Sequence, residues 1–220
     1  WDIIGYTVGR MLPSAGVPVL TGDFHRPTLT MLKQCFTAMA TTSACELCHS
    51  VGVTPEARSL EDARGNKPLR GEFTINQKDY DESCRQICSA GEGKINFVLL
   101  GCPHYSLEDI QQVANYIHGK KVAEGVELHV WTDMSTLAMA KASGFVKTIE
   151  DAGGNVLSSS CAMVMDPAAF SHVTAMVTDS GKQGHYMHSC FGTEKHVPIY
   201  YGDVSKCIDA AAAGYWKGEA

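Results

Sequence analysis

Several segments of the chain repeat one pattern: a short apolar run, a turn rich in Gly, Ser, Thr or Asp, and then apolar residues at helical spacing. The clearest unit pairs a strand over Ile95–Leu100 with a turn at Gly101-Cys102-Pro103-His104. A helix from Ser106 to about His118 comes next, with Ser106 as N-cap and Glu108 and Asp109 in its first turn. Val126–Trp131 is a second strand, feeding a helix over Met134–Glu150 that Asp151-Ala152-Gly153-Gly154 closes. Further strands are predicted over Asn155–Ser159, His172–Val177 and Val197–Tyr201, the last leading to a helix over Val204–Ala213. In the first third the pattern predicts strands at Val17–Thr21, Ser43–Cys48 and Phe73–Ile75, and helices at Pro27–Ala40 and Gln77–Ser89.

This alternation predicts an α/β fold of parallel-sheet β-α repeats with helices on both faces. Residues 1–90 hold the weaker units and 91–220 the stronger ones, in two parts or one continuous domain. The polar stretch Arg58–Pro68 is the one linker-like segment. The chain of 220 residues is 45% hydrophobic and 19% charged, enough for a sizeable core without stapling. A net charge of -6 gives no footprint for nucleic acid or an anionic membrane. Its apolar runs are too short to span a bilayer and no signal segment opens it, so a cytoplasmic protein is expected. Trp1, rather than Met, begins the sequence and runs into a dense apolar segment, as in the interior of a longer protein.

The nine cysteines are an odd count, which excludes complete internal pairing. In open parallel sheets ligands collect outside the carboxyl ends of the strands, and that rule sorts the thiols. Cys102 and Cys161 each come just after a predicted strand, and Cys207 lies in the first turns of the helix after the fifth, so all three are expected at one rim. Three such thiolates suit an iron–sulfur cluster that leaves one iron exposed, although their spacing matches no short ligand motif. Cys35, Cys84, Cys88 and Cys190 read as filler. Cys45-Glu46-Leu47-Cys48 has zinc-like spacing, but on a strand the two thiols would face opposite ways.

Other polar groups sit at strand ends. Ser180, Gly181 and Lys182, with His185 and Tyr186 close behind, put a hydroxyl, backbone N–H groups and an ammonium in one loop suited to a carboxylate or phosphate. His49 precedes the turn Gly52-Val53-Thr54-Pro55-Glu56, and His104 lies beside Cys102 as a candidate proton donor.

Taken together and in order, several pieces resemble the aconitase X family, the dehydratase branch of the aconitase superfamily, over the later half of its large catalytic domain. They are Pro27-Thr28, His49 with Gly52-Val53-Thr54-Pro55-Glu56-Ala57, Gly101-Cys102-Pro103-His104, Cys161, Ser180-Gly181-Lys182 with His185-Tyr186, and Cys207 with Ala210-Ala211. The resemblance implies a cluster, 2Fe-2S or 4Fe-4S, ligated by Cys102, Cys161 and Cys207. It also implies that His49, Thr54, Ser180, Lys182 and His185 lie near a small hydroxy acid that loses water. Cis-3-hydroxy-L-proline is the favoured substrate and 5-phosphomevalonate the second. It further implies partners: an amino-terminal half of the large domain and a small swivelling domain, in the same polypeptide or as subunits. Two other classes compete with it. A Rossmann-like nucleotide binder lacks the G-x-G-x-x-G turn, and a structural or regulatory zinc subunit would use Cys45, Cys48, Cys84 and Cys88.

Overall fold

The computed structural model describes residues 1–12, 16–191 and 196–218. It contains two compact units, Trp1–Ser83 and Cys84–Ala220. The first unit opens with α1 (Asp2–Met11), β1 (Val19–Leu20), α2 (Leu29–Ser43), β2 (His49–Ser50) and α3 (Leu60–Arg64). The unit boundary falls inside α4 (Gln77–Ile87).

The dense apolar start is a helix. Two glycines on α1 set how closely α2 approaches it: a Cβ at Gly5 would lie 1.9 Å from the Cys35 carbonyl oxygen, and one at Gly9 would lie 2.1 Å from Thr42 Oγ1. Glycine ordinarily weakens a helix interior, and here the close backbone contact offsets that cost. Thr28 caps α2 by accepting from the Met31 N–H at 3.2 Å, and Ala44 ends it in the left-handed region at φ 53°. That exit turns the chain, so residues 44–48 form a loop where a strand was expected, and only His49 and Ser50 pair, in parallel with Val19 and Leu20. Phe73–Ile75 likewise stays outside any sheet. Cys45 and Cys48 pack with Val8, Cys35 and Met39 in one apolar cluster. Burial pushes the Cys35 thiol up to about 12 and raises that of Cys48 as well, which suits neutral core thiols.

The second unit continues with β3 (Gly93–Lys94), β4 (Phe97–Tyr105), α5 (Leu107–Ile117), β5 (Glu127–Thr132), α6 (Met134–Ala142), α7 (Phe145–Asp151) and β6 (Gly154–Leu157). Then come β7 (Met176–Thr178), α8 (Gly181–Cys190), β8 (Ile199–Tyr201), α9 (Val204–Ala213) and β9 (Tyr215–Trp216). Two 3-10 turns, Ala162–Val164 and Pro167–Phe170, lie between β6 and β7. Five strands form one wholly parallel sheet in the order β6-β5-β4-β7-β8, and β3 pairs antiparallel with β9. On one face Val98, Leu100, Val130 and Val177 pack with Ile110 and Val113 of α5, Ile149 of α7 and Ile208 of α9. On the other, Phe97, Leu99, Trp131 and Met176 pack with Met187 of α8 and with Ala162 and Phe170 of the 3-10 turns. This is the expected α/β architecture with helical elements on both faces.

Three local departures from the expected elements shape this unit. The stretch Gly101-Cys102-Pro103-His104 is a bulged continuation of β4 rather than a turn: between Leu100↔Val130 and Tyr105↔Thr132 the register shifts, and Gly101 sits at φ +90°. The expected helix over Met134–Glu150 is broken at Gly144, whose φ of +81° starts α7 anew. Ser180-Gly181-Lys182 opens a helix instead of a loop. By contrast α5 carries its full capping box between Ser106 and Asp109, and α9 has the expected bounds, with Asp203 as N-cap and Gly214 in the left-handed region.

Candidate active site

The order β6-β5-β4-β7-β8 has a switch point. The chain starts at the centre with β4, winds outward through β5 to β6, then crosses to β7 and β8 on the other side. Connections leave β4 and β7 in opposite directions, so a crevice opens between their carboxyl ends, where open parallel sheets bind ligands. Cys102 stands on the β4 side of this crevice, and Asp179, Ser180 and Lys182 come after β7 on the other.

The β7 side is built by local hydrogen bonds. Ser180 caps α8: its Oγ accepts from the Gln183 N–H at 3.2 Å, while its own N–H donates to Thr178 Oγ1 at 3.2 Å. Its side chain lies beside Cys102, where hydrogen bonding to it favours the thiolate. Lys182 lies in the first helical turn, so an ammonium adds to the positive end of the helix dipole. Beneath them the Tyr105 hydroxyl donates to Asp179 Oδ2, and Thr132 Oγ1 donates to the Tyr105 carbonyl at 2.6 Å. Burial, then the Asp179 carboxylate, holds the Tyr105 hydroxyl well above its usual range, so Tyr105 remains a neutral donor.

Cys102 is half-buried. Burial pushes its thiol up to about 11; the Lys182 ammonium and the Ser180 hydrogen bond pull against that, and Cys161 and Asp179 push further up. A thiol so placed becomes a thiolate when a cation coordinates it, since the metal supplies the charge that burial denies. Cys161, also half-buried, comes after β6 as N-cap of the first 3-10 turn and lies within electrostatic reach of both Cys102 and Cys190. His104 Nε2 lies 2.8 Å from the Ser160 carbonyl oxygen. A carbonyl only accepts, so Nε2 carries a proton.

The structure thus gathers Cys102, Ser180, Lys182 and Cys161 at one rim, with His104 bound to the residue before Cys161. Cys207 departs from the expectation. It is fully buried in the core between the sheet and α9, with its Sγ donating to the Gly202 carbonyl at 3.5 Å, and burial, then Asp179, raises its thiol well above the usual range. His185 lies exposed on α8, its ring edge-on to Tyr186 at 4.9 Å, rather than beside Lys182 in a loop. His49 and Thr54 belong to the first unit. There Thr54 Oγ1 donates to the Ser50 carbonyl and accepts from its N–H, and the buried His49 Nδ1 has no hydrogen-bond partner. Tyr105, Asp179 and Trp131 are rim residues that sequence reasoning misses. The apolar and aromatic run along β4 and β5 is the signal that could mark Tyr105 and Trp131.

Among the described residues no three His, Cys, Asp or Glu side chains surround one point as a single metal ion requires. Thiols that share an iron–sulfur cluster are distributed over its irons and need not converge on one point. The soft donor set of Cys102 and Cys161, at a rim with hydroxyl and ammonium donors, fits part of such a cluster's coordination. Cys207 is enclosed by the sheet and α9, with Gly202 and Asp179 as its polar neighbours.

Fold and site together define an α/β protein of the open parallel-sheet class with a thiol-lined crevice at its switch point. The chain belongs to the aconitase X family: residues 1–85 match the model of the aconitase X second domain and residues 95–213 that of the third. It is 29% identical to the cis-3-hydroxy-L-proline dehydratase of Pseudomonas aeruginosa over 97% of this chain and 36% of that protein. To the phosphomevalonate dehydratase large subunit of Methanothermobacter thermautotrophicus it is 32% identical over 88% of this chain and 46% of that one. The crystal structure of Thermococcus kodakaraensis aconitase X in its holo form superposes with a TM-score of 0.78 at 25% identity, covering 96% of this chain and 50% of that one. The chain therefore spans half or less of the length of these relatives. No helix among the described residues is long and apolar enough to cross a membrane.

Proposed function

We propose that these residues supply two domains of a hydro-lyase that removes water from a small hydroxy acid beside an iron–sulfur cluster, with Cys102 and Cys161 among the cluster's ligands. The observation that carries this reading is the pair of rim thiols facing Ser180 and Lys182 across the switch point, in a family whose named relatives here are dehydratases. Cis-3-hydroxy-L-proline is the substrate favoured and 5-phosphomevalonate the second; matches to each kind of dehydratase run along 97% of the chain. The remaining part of the site would come from the segments by which the relatives exceed this match, in the same polypeptide or as a small subunit.

Elimination breaks the C–H bond next to the carboxylate and the C–O bond on the neighbouring carbon, forms the C=C bond between them and releases water. When bound, the cluster would supply Lewis acidity toward the leaving hydroxyl. Lys182 and the amino end of α8 hold the carboxylate and stabilise the charge that builds on it as the proton leaves. Ser180 fixes the Cys102 sulfur from one side while capping the helix that presents Lys182. His104, oriented by Ser160, is the candidate proton donor to the departing oxygen, from Nδ1 when that nitrogen also carries a proton.

Lys182→Gln is expected to raise KM about 10- to 100-fold, the loss associated with a charge-assisted hydrogen bond, with a smaller change in kcat. An unchanged KM would remove Lys182 from carboxylate binding. The function itself is tested on the longest natural polypeptide containing these residues, isolated without oxygen together with any co-encoded partner, by following the loss of each hydroxy acid by NMR. Conversion of cis-3-hydroxy-L-proline to a cyclic imine carboxylate, the tautomer of the enamine that elimination forms, is the expected result. Turnover of 5-phosphomevalonate alone would reassign the substrate, and turnover of neither by iron-loaded protein would overturn the reading.

A further inference from the structure

Trp131 occupies the next-to-last position of β5 at the rim, is only 4% exposed, and leaves its indole Nε1–H buried with no acceptor. A buried indole N–H ordinarily finds a partner, and leaving it without one costs about 1–3 kcal/mol. At this rim Thr132 is served by the Tyr105 carbonyl, Thr178 by Gln183 and Tyr105 by Asp179 Oδ2, while Asp179 Oδ1, an acceptor, is the other buried polar atom without a hydrogen-bond partner. The orphaned donor therefore marks a place where an acceptor from outside these domains belongs.

The sheet order says which acceptor. β5 lies between β4, which carries Cys102, and β6, which leads to Cys161. Trp131 stands opposite Leu157 of β6, and its backbone runs so close to Gly101 that a Cβ there would meet the Trp131 carbonyl oxygen at 2.1 Å. Its side chain belongs to the cluster on the face that also holds Ala162 and, partly buried, Met163, the two residues directly after Cys161. Trp131 thus belongs to the strand between the two that lead to the rim thiols.

We infer that the Trp131 Nε1–H donates a hydrogen bond to a sulfur atom of the group held between Cys102 and Cys161. The inference rests on the cluster reading proposed for this site and adds a positioning and tuning residue to it. An N–H···S bond stabilises the more negative, reduced form of a cluster and so raises its reduction potential. Trp131→Phe keeps the aromatic character of the side chain and removes the donor.

The test is made on the anaerobically isolated, cluster-loaded full polypeptide. The reduction potential of the Trp131→Phe variant is expected to fall below wild type at equal iron and sulfide content. In the wild type, the indole N–H vibration in ultraviolet resonance Raman spectra is expected to change between iron-loaded and iron-stripped protein as one indole gains an acceptor; this second measurement holds even if the variant does not fold. An unchanged potential in a loaded variant, or an indole band identical in loaded and stripped wild type, overturns the inference while leaving the cluster in place. Absence of iron and sulfide from the wild type overturns the cluster reading itself, and this inference with it.

Discussion

Cys102→Ser is expected to reduce turnover by more than about 100-fold, beyond the range associated with losing an outer-shell partner of a metal ligand, because it removes the ligand itself. Cys161→Ser is expected to act alike, whereas Cys207→Ala is expected to keep the iron and lose only packing, about 1–2 kcal/mol. The contrast comes from placement: Cys102 and Cys161 are half-buried at the rim and electrostatically coupled, while Cys207 is enclosed by the sheet and α9. Iron, acid-labile sulfide and turnover measured on the three variants check it. Loss of iron in Cys207→Ala with retention in Cys161→Ser would reverse the assignment.

Gly101→Ala is expected to be the most damaging single methyl in the second unit. At φ +90° an alanine is strained on its own, and its Cβ would stand 2.1 Å from the Trp131 carbonyl oxygen and 2.7 Å from the Trp131 nitrogen, both backbone atoms of the neighbouring strand. Relief requires the bulge to move away from β5 and Cys102 to move with it. A loss of about 3 kcal/mol or more is expected, read as a lower urea midpoint, with iron content falling alongside. A variant with wild-type stability and iron would show that the bulge does not position Cys102.

The second unit is legible where local signals agree with the fold. Asp203 and Gly214 bracket α9 as cap and left-handed exit, and Ser106 with Asp109 opens α5. The strand-end rule then carries Cys102 and Cys161 to the rim. It does not foresee the full burial of Cys207, because that residue lies on a helix, where the helical phase decides. Val204, Cys207, Ile208 and Ala211 recur at helical spacing, which is the stripe that faces the sheet, and that phase is present in the sequence.

Elsewhere tertiary contact overrides propensity. α8 contains Gly181, Gly184 and two histidines and reads as a loop, yet Gly184 is where the helix meets the Ile87 carbonyl, at 2.8 Å from where a Cβ would stand. α1 hides its amphipathic pattern because Gly5 and Gly9 interrupt it, and they do so to admit α2. The bulge at Gly101–His104 needs Trp131 as a neighbour, a pairing no local window contains.

The central claim is tested most directly by measuring iron, zinc and acid-labile sulfide, with a visible spectrum, on the anaerobically isolated wild-type polypeptide and any co-encoded partner. Coloured protein holding iron and sulfide, with both lost on Cys102→Ser, is the predicted result. Zinc alone, or no metal with the partners present, would contradict the account and leave the rim thiols of this aconitase X chain without their proposed cluster.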